Sequence, residues 1–214
     1  MGATACGTST TGRTPDGGEA QPAKGAATAA PPSPAASKGG GTGVKAAGSV
    51  GGAGTPCLLP VTFDLAKDWK PKAVTHAEDD QFASLFKQGG TTLACEIDAK
   101  PAGNLGFLRV WIADAPAAPG DARTVLEAFM AGEKTTGAPT YTELRAGTGG
   151  AALPAVEAAY EAAPLDEAKK ERAFAVVTPG GAAVVVHLGG VDSGEHEAML
   201  PAYRLAQQSL GPSE

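Results

Sequence analysis

The sequence predicts an α+β fold: one antiparallel sheet covered by helices, preceded by a disordered N-terminal tail. Three observations carry this. Between residues 7 and 55 the only large apolar side chains are Val44 and Val50, so that stretch has nothing with which to offset the entropy of ordering. Beyond it, apolar residues recur with the period of two that marks strands, and strong turn sequences join the runs as hairpins. A few stretches instead show helical spacing and would supply the covering layer. The expected organisation is a short N-terminal segment at 1–6, a Gly/Ala/Pro/Ser/Thr-rich tether at 7–55 and a single domain at 56–214.

The elements follow in order. Val61, Phe63 and Leu65 alternate, giving a first strand with one buried face, and Lys67-Asp68-Trp69 is a turn that brings Trp69 back onto the sheet. Residues 78–88 read as a short helix, with Phe82, Leu85 and Phe86 at i, i+3 and i+4 and Gly89-Gly90 ending it. Residues 91–99 and 106–114 read as strands joined by Pro101-Ala102-Gly103-Asn104, which is turn chemistry. Gly120-Asp121 precedes a helix at 122–131 whose stripe is Val125, Leu126, Phe129 and Met130. Residues 141–145 read as a strand. Residues 154–163 suit either helix or strand by composition; the alternation of Val156, Ala158 and Tyr160 favours strand. The charged stretch 165–172 reads as an exposed connection. Residues 172–178 and 182–188 flank Pro179-Gly180-Gly181 as a hairpin. Asp192-Ser193 then caps a final helix to about residue 210, with Met199, Tyr203, Ala206 and Leu210 inward. Pro201 removes one backbone bond, so this helix is expected to kink or start late.

The cysteines bear on location. Small residues precede the first one in Ala3-Thr4-Ala5-Cys6, and a polar tether follows, the pattern of a bacterial lipoprotein after its signal peptide. Ala3 stands where Leu is usual, and the basic and apolar parts of a signal peptide are expected upstream of Met1. Some 49 residues of such a tether reach ~40 Å. The chain has 3 cysteines. With Cys6 lipidated, Cys57 and Cys95 remain as a pair for one disulfide, against the alternative of two buried free thiols. No apolar run approaches the ~18 residues of a membrane span.

Val61-Thr62-Phe63-Asp64-Leu65, then Lys67-Asp68-Trp69, a mid-domain helix, a late hairpin and a C-terminal helix together resemble the PsbP-like fold. The domain is also similar to exported lipoproteins of high-GC Gram-positive bacteria. The resemblance implies a non-enzymatic binding or assembly module and carries no catalytic signature onto any residue here.

The net charge is -6, and the tail's Arg13, Lys24, Lys38 and Lys45 against Asp16 and Glu19 leave the domain more acidic still. That excludes a nucleic-acid binder built on phosphate contacts. His76, His187 and His196 form no metal-ligand spacing, so no metal or other cofactor is expected. His187 is expected on the strand face opposite Val186, and His196 at a solvated helix start. Asp79-Asp80 do not share a helix face, and Glu96 and Asp98 are one face of a strand, so neither pair reads as acid/base machinery. Ser84, Ser193 and Ser209 lack a nucleophile turn, and Gly147-Thr148-Gly149-Gly150 lacks the basic residue of a phosphate loop. Lys100, Arg109 and Arg145 could line an anion site, although solvated surface charges are the plainer account. Trp69, Trp111 and Phe107 could wall a ligand, although core packing explains them better.

The reading is therefore a lipoprotein anchored through lipid on Cys6 at the extracytoplasmic face of the cell membrane. Its domain is not an enzyme and binds a protein or small-molecule partner outside the membrane. The competing classes are a cell-envelope hydrolase with an unrecognised site and a structural surface module.

Overall fold

The computed structural model describes residues 43–75, 83–163 and 167–213. Cys6, His76, Asp79 and Asp80 lie outside them, as does most of the expected tether. Among the described residues the strands and α-helices form in the order β1 (Ala46–Val50), β2 (Val61–Ala66), β3 (Lys70–Ala73), β4 (Lys87–Gln88), β5 (Thr91–Asp98), β6 (Gly106–Ala113), α1 (Ala122–Met130), β7 (Thr140–Ala146), β8 (Leu153–Ala162), β9 (Lys169–Val177), β10 (Ala183–Gly190), α2 (Ser193–Ser209) and β11 (Gly211–Pro212). The large sheet has the order β3-β5-β6-β10-β9-β8-β7, with β4 also on β5; a smaller one has the order β1-β2-β11. All the pairings between these strands are antiparallel.

The expected sheet covered by helices is not what forms. The protein is mainly antiparallel β, and its two helices do not cover the sheets. The α1 helix packs on β8, β9 and β10. The α2 helix packs on β2, β10 and β9, so on that face the small sheet does much of the burying. Two local misreadings account for the difference. In residues 78–88, the described part is a single 3-10 turn, Ala83–Phe86, followed by β4. Residues 165–172 were expected as an exposed connection, yet Lys169–Arg172 opens β9, where Glu171 is buried. The tether boundary also shifts. Ala46–Val50, inside the expected tether, pairs with β2, and Val50 is fully buried. Small residues suffice there because β1 is held by its backbone ladder, with its other four residues exposed.

Other elements match the spacing that predicts them. In β2 the alternation buries Val61, Phe63 and Leu65. Trp69 turns back into the same core, past Asp68 at φ 67. Residues 153–162 are a strand. The Asp192 carboxylate accepts the Glu195 backbone N–H at 2.8 Å and caps α2. Of the two expectations for Pro201, the late start does not hold: the helix begins at Ser193 and runs through the proline.

Two cores result, one on each face of the large sheet. Phe63, Ile97, Leu108, Phe174, Leu188 and Tyr203 belong to the face shared by β2 and α2. Leu93, Trp111, Leu126, Phe129 and Val185 belong to the α1 face. Strand β5 serves both because its register on β6 shifts: Leu93 opposes Trp111, and Cys95 opposes the very next residue, Val110. The extra residue is a bulge that reverses the facing of everything after it. Cys95 thereby enters the β2 face and forms a disulfide with Cys57 (Cα–Cα 5.9 Å). Gly89 sits where α1 meets the β4–β5 turn, at φ +55. A Cβ there would lie 2.2 Å from the Ala128 carbonyl oxygen, so no other residue fits.

The bridge closes a separation of 38 residues, for which chain entropy gives about 4 kcal/mol. A double Cys57→Ala, Cys95→Ala variant is expected to lose roughly that much stability in urea titration. Unfolded without reductant, the wild type should offer no alkylatable thiol at either position.

Candidate functional site

The α1 face carries a polar row across five strands, beyond the end of α1. Glu96 on β5 stands opposite Arg109 on β6, and Arg109 opposite His187 on β10. Glu171 on β9 lies two residues from Ala173, the partner of His187, and opposite Tyr160 on β8. The bulge in β5 is what turns Glu96 to this face. On β10, Val186 and Leu188 take the other core, so His187 must point here, as its alternation predicts.

These groups are joined. Glu171 Oε2 accepts from His187 Nε2 at 2.8 Å and from the Tyr160 hydroxyl at 3.2 Å. The Tyr160 oxygen is also 3.0 Å from His187 Nε2. Lys169 Nζ lies 2.6 Å from Glu171 Oε1 and donates to the Gly190 carbonyl at 2.6 Å. Tyr160, Glu171 and His187 are 7%, 5% and 6% exposed, so this is a buried network. Burial opposes the charge on Glu171, but hydrogen bonds and charge from His187 and Lys169 outweigh it and lower its pKa to about 2. Burial chiefly, with Glu133 and Glu171 nearby, raises the Tyr160 hydroxyl above its ordinary value. An ionised carboxylate only accepts, so His187 Nε2 carries the proton. Among the described residues His187 Nδ1 has no hydrogen-bond partner.

Glu171 lines three clefts. The one beside α1, about 480 Å³, is also bordered by Leu85, Leu93, Arg109, Trp111, Glu133 and His187. A second, of about 390 Å³, lies between the ends of β6 and β10, over Gly189 and Gly190. A Cβ on Gly189 would sit 3.3 Å from the His187 ring, so the glycine keeps that ring reachable. The third lies across the ends of β8 and β9, between Tyr160 and His196.

The structure sorts the sequence candidates. Arg109 and Trp111 share the cleft beside α1, and Lys100, Phe107 and Arg109 border the second. Trp69 lies in the other core, and Arg145 donates to the Ala152 carbonyl near the opposite edge of the sheet. Glu96 is paired with Arg109, which donates to Oε1 from Nε and Nη2, both at 3.1 Å. His196 was expected in solvent but is 1% exposed: the α2 N-terminus packs over Gly190, where a Cβ would come within 3.0 Å of its backbone nitrogen. Its Nδ1 has no partner among the described residues, and burial, with the charge of Arg172, lowers its pKa to about 4. Sequence spacing does not single out Tyr160, Lys169 and Glu171 as site residues. The available signal was the alternation Lys169, Glu171, Ala173, Ala175, which carries two charges onto one face of a strand. Among the described residues no group of three or more His, Cys, Asp or Glu is arranged to hold a metal ion.

A family described as uncharacterised lipoprotein matches residues 26–210. The chain belongs to that family. Membership implies association with a membrane through attached lipid; among the described residues no helix is long and apolar enough to cross one. No curated protein matches the sequence. Among solved structures, the solution structure of cyanobacterial PsbP (CyanoP) from Synechocystis sp. PCC 6803 is similar at 12% identity and a TM-score of 0.45, over 72% of this chain and 86% of that one. A likeness at that distance lends nothing further to this lipoprotein.

Two acid-labile windows follow. His196 has its folded pKa lowered from 6.5 to about 4, so its contribution is complete above pH 6.5 and is lost as pH falls toward 4. Glu171, lowered from 4.5 to about 2, contributes above pH 4.5 and loses that between 4.5 and 2. The His196 window amounts to roughly 3 kcal/mol. In urea titrations at pH 7 and pH 4.5, His196→Leu should remove most of the difference seen in the wild type. At pH 7, Glu171→Gln should cost about 3 kcal/mol by leaving Lys169 without its anion, and Tyr160→Phe only about 1 kcal/mol.

Proposed function

We propose that this lipoprotein is anchored through lipid on Cys6 at the extracytoplasmic face of the cell membrane, and that its folded unit is a non-enzymatic binding or assembly module. Family membership supports the lipid. The Cys57–Cys95 disulfide supports both an oxidising compartment and the assignment of the remaining cysteine.

The observation that carries the binding role is the state of the Tyr160–Glu171–His187–Lys169 network. Glu171 has both oxygens engaged and a pKa near 2, which makes it a poor proton acceptor at neutral pH. Such a network fixes the shape and charge of a cleft wall. A hydrolase is the second reading, because His187 is oriented by a carboxylate and lines a cleft. Among the described residues, however, no serine, threonine or cysteine side chain hydrogen-bonds His187.

Metabolic labelling of the full-length precursor with palmitate should mark the wild type and not Cys6→Ala; equal labelling of both would refute the anchor. Turnover of p-nitrophenyl acetate should be the same for wild type and His187→Gln, and a drop in the variant would favour the hydrolase.

A further inference from the structure

The cleft beside α1 has unused hydrogen-bonding capacity. Arg109 and His187 are directly opposed cross-strand neighbours on one face, which brings their side chains together. Arg109 gives Nε and Nη2 to Glu96, and among the described residues its Nη1 donates to nothing. His187, 6% exposed, gives Nε2 to Glu171 and Tyr160 while Nδ1 stays open in the cleft wall. Two residues along β6 from Arg109, on the same face, Trp111 adds an apolar wall, extended by Leu93 opposite it and by Leu85, which is 71% exposed.

The acids on the cleft are engaged or balanced: Glu96 pairs with Arg109, Glu171 with Lys169, and Glu133 Oε1 accepts from the Gln88 amide at 2.6 Å, with Lys134 on the same wall. What Arg109 offers a ligand is therefore its free Nη1 donor, not an unpaired charge. We propose that this cleft binds a small organic carboxylate with a planar or branched apolar body, its oxygens between Arg109 Nη1 and His187 Nδ1 and its body on Trp111. The proposal rests on the reading of the folded unit as a binding module and adds the ligand class.

His187 Nε2–H is held by Glu171, so Nδ1 donates to an anion only when it carries a second proton. The charged groups that share its cleft are Glu96, Arg109, Glu133, Lys134, Lys169 and Glu171, with Tyr160 3.0 Å from Nε2 and Phe129 of α1 packed 5.9 Å from its ring.

The probe is 4-fluorobenzoate, followed by fluorine NMR as the protein is added, with 4-fluorobenzyl alcohol as the uncharged control. Saturable binding of the carboxylate is expected, with little from the alcohol. Arg109→Gln, a side chain 31% exposed, should weaken it about tenfold while leaving the fold intact. His187→Gln should weaken it similarly, whereas Arg145→Gln should change nothing. No saturable response, equal binding of the alcohol, or unchanged affinity in Arg109→Gln would overturn the proposal. Failure here leaves the lipid anchor standing, and equal palmitate labelling of Cys6→Ala would leave the carboxylate site standing.

Discussion

One extra residue in β5 decides how the two faces of the large sheet are populated. Before the shift, Leu93 packs against Trp111 in the α1 core; after it, Cys95 and Ile97 pack in the α2 core. A regular strand would keep residues 93, 95 and 97 on a single face. With no shift, Cys95 would point away from Cys57, and Glu96 would face the β2 core. The disulfide, the closure of the small sheet over one face and the polar row on the other all follow from this irregularity.

The strands β8 and β9 carry the fold's buried charge on opposite faces. On the α1 face, Glu171 meets Lys169, His187 and Tyr160. On the α2 face, Glu157, 3% exposed, meets Arg204 at 2.7 Å and Arg172 at 3.2 Å. A buried carboxylate without partners would cost several kcal/mol, so each is matched by cations from neighbouring elements. The Glu157 cluster ties α2 to the sheet and borders none of the clefts beside His187. The Glu171 network ties β8, β9 and β10 together where the sheet floor is thinned by Gly189 and Gly190. At that end Gly189 and Gly190 leave the second cleft open where side chains would otherwise fill it.

Much of this was legible in the chain, and the failures have physical causes. The alternation in β2, β6 and β10, the Pro179-Gly180-Gly181 turn and the Asp192 cap all rest on local chemistry, and each reads correctly. Residues 78–88 carry apolar side chains at helical spacing, yet Ala83–Phe86 forms one 3-10 turn and Lys87–Gln88 pairs with β5, because tertiary pairing overrides local spacing. Lys169-Lys170-Glu171-Arg172 looked exposed by charge alone. Only Glu171 in it is buried, against Tyr160 and His187, 11 and 16 residues away; Arg172 is half-buried against Glu157 across the ladder and Lys170 stays exposed. The bulge leaves no mark in the sequence, since Leu93, Cys95 and Ile97 are apolar whichever face they serve. His196 was misplaced for a related reason: Glu195 and Glu197 beside it indicate solvent, but the glycine at 190 lets the first turn of α2 settle on β10.

Clamping and openness in the network have separate functional consequences. Lys169 and the Tyr160 hydroxyl hold Glu171 as an anion, and that anion in turn holds the proton of His187 on Nε2. A ring fixed in tautomer and orientation has little conformational freedom left to lose when a ligand arrives, and preorganisation of this kind favours affinity. The same clamping works against turnover, which needs a base whose proton affinity is close to the working pH and a nucleophile within its reach. Glu171 is held far below that range, and the hydroxyl nearest His187 belongs to Tyr160, whose ionisation is pushed out of reach by burial and by the adjacent carboxylate. On the proposed reading of the folded unit as a binding module, it is the preorganisation of this cleft that serves recognition.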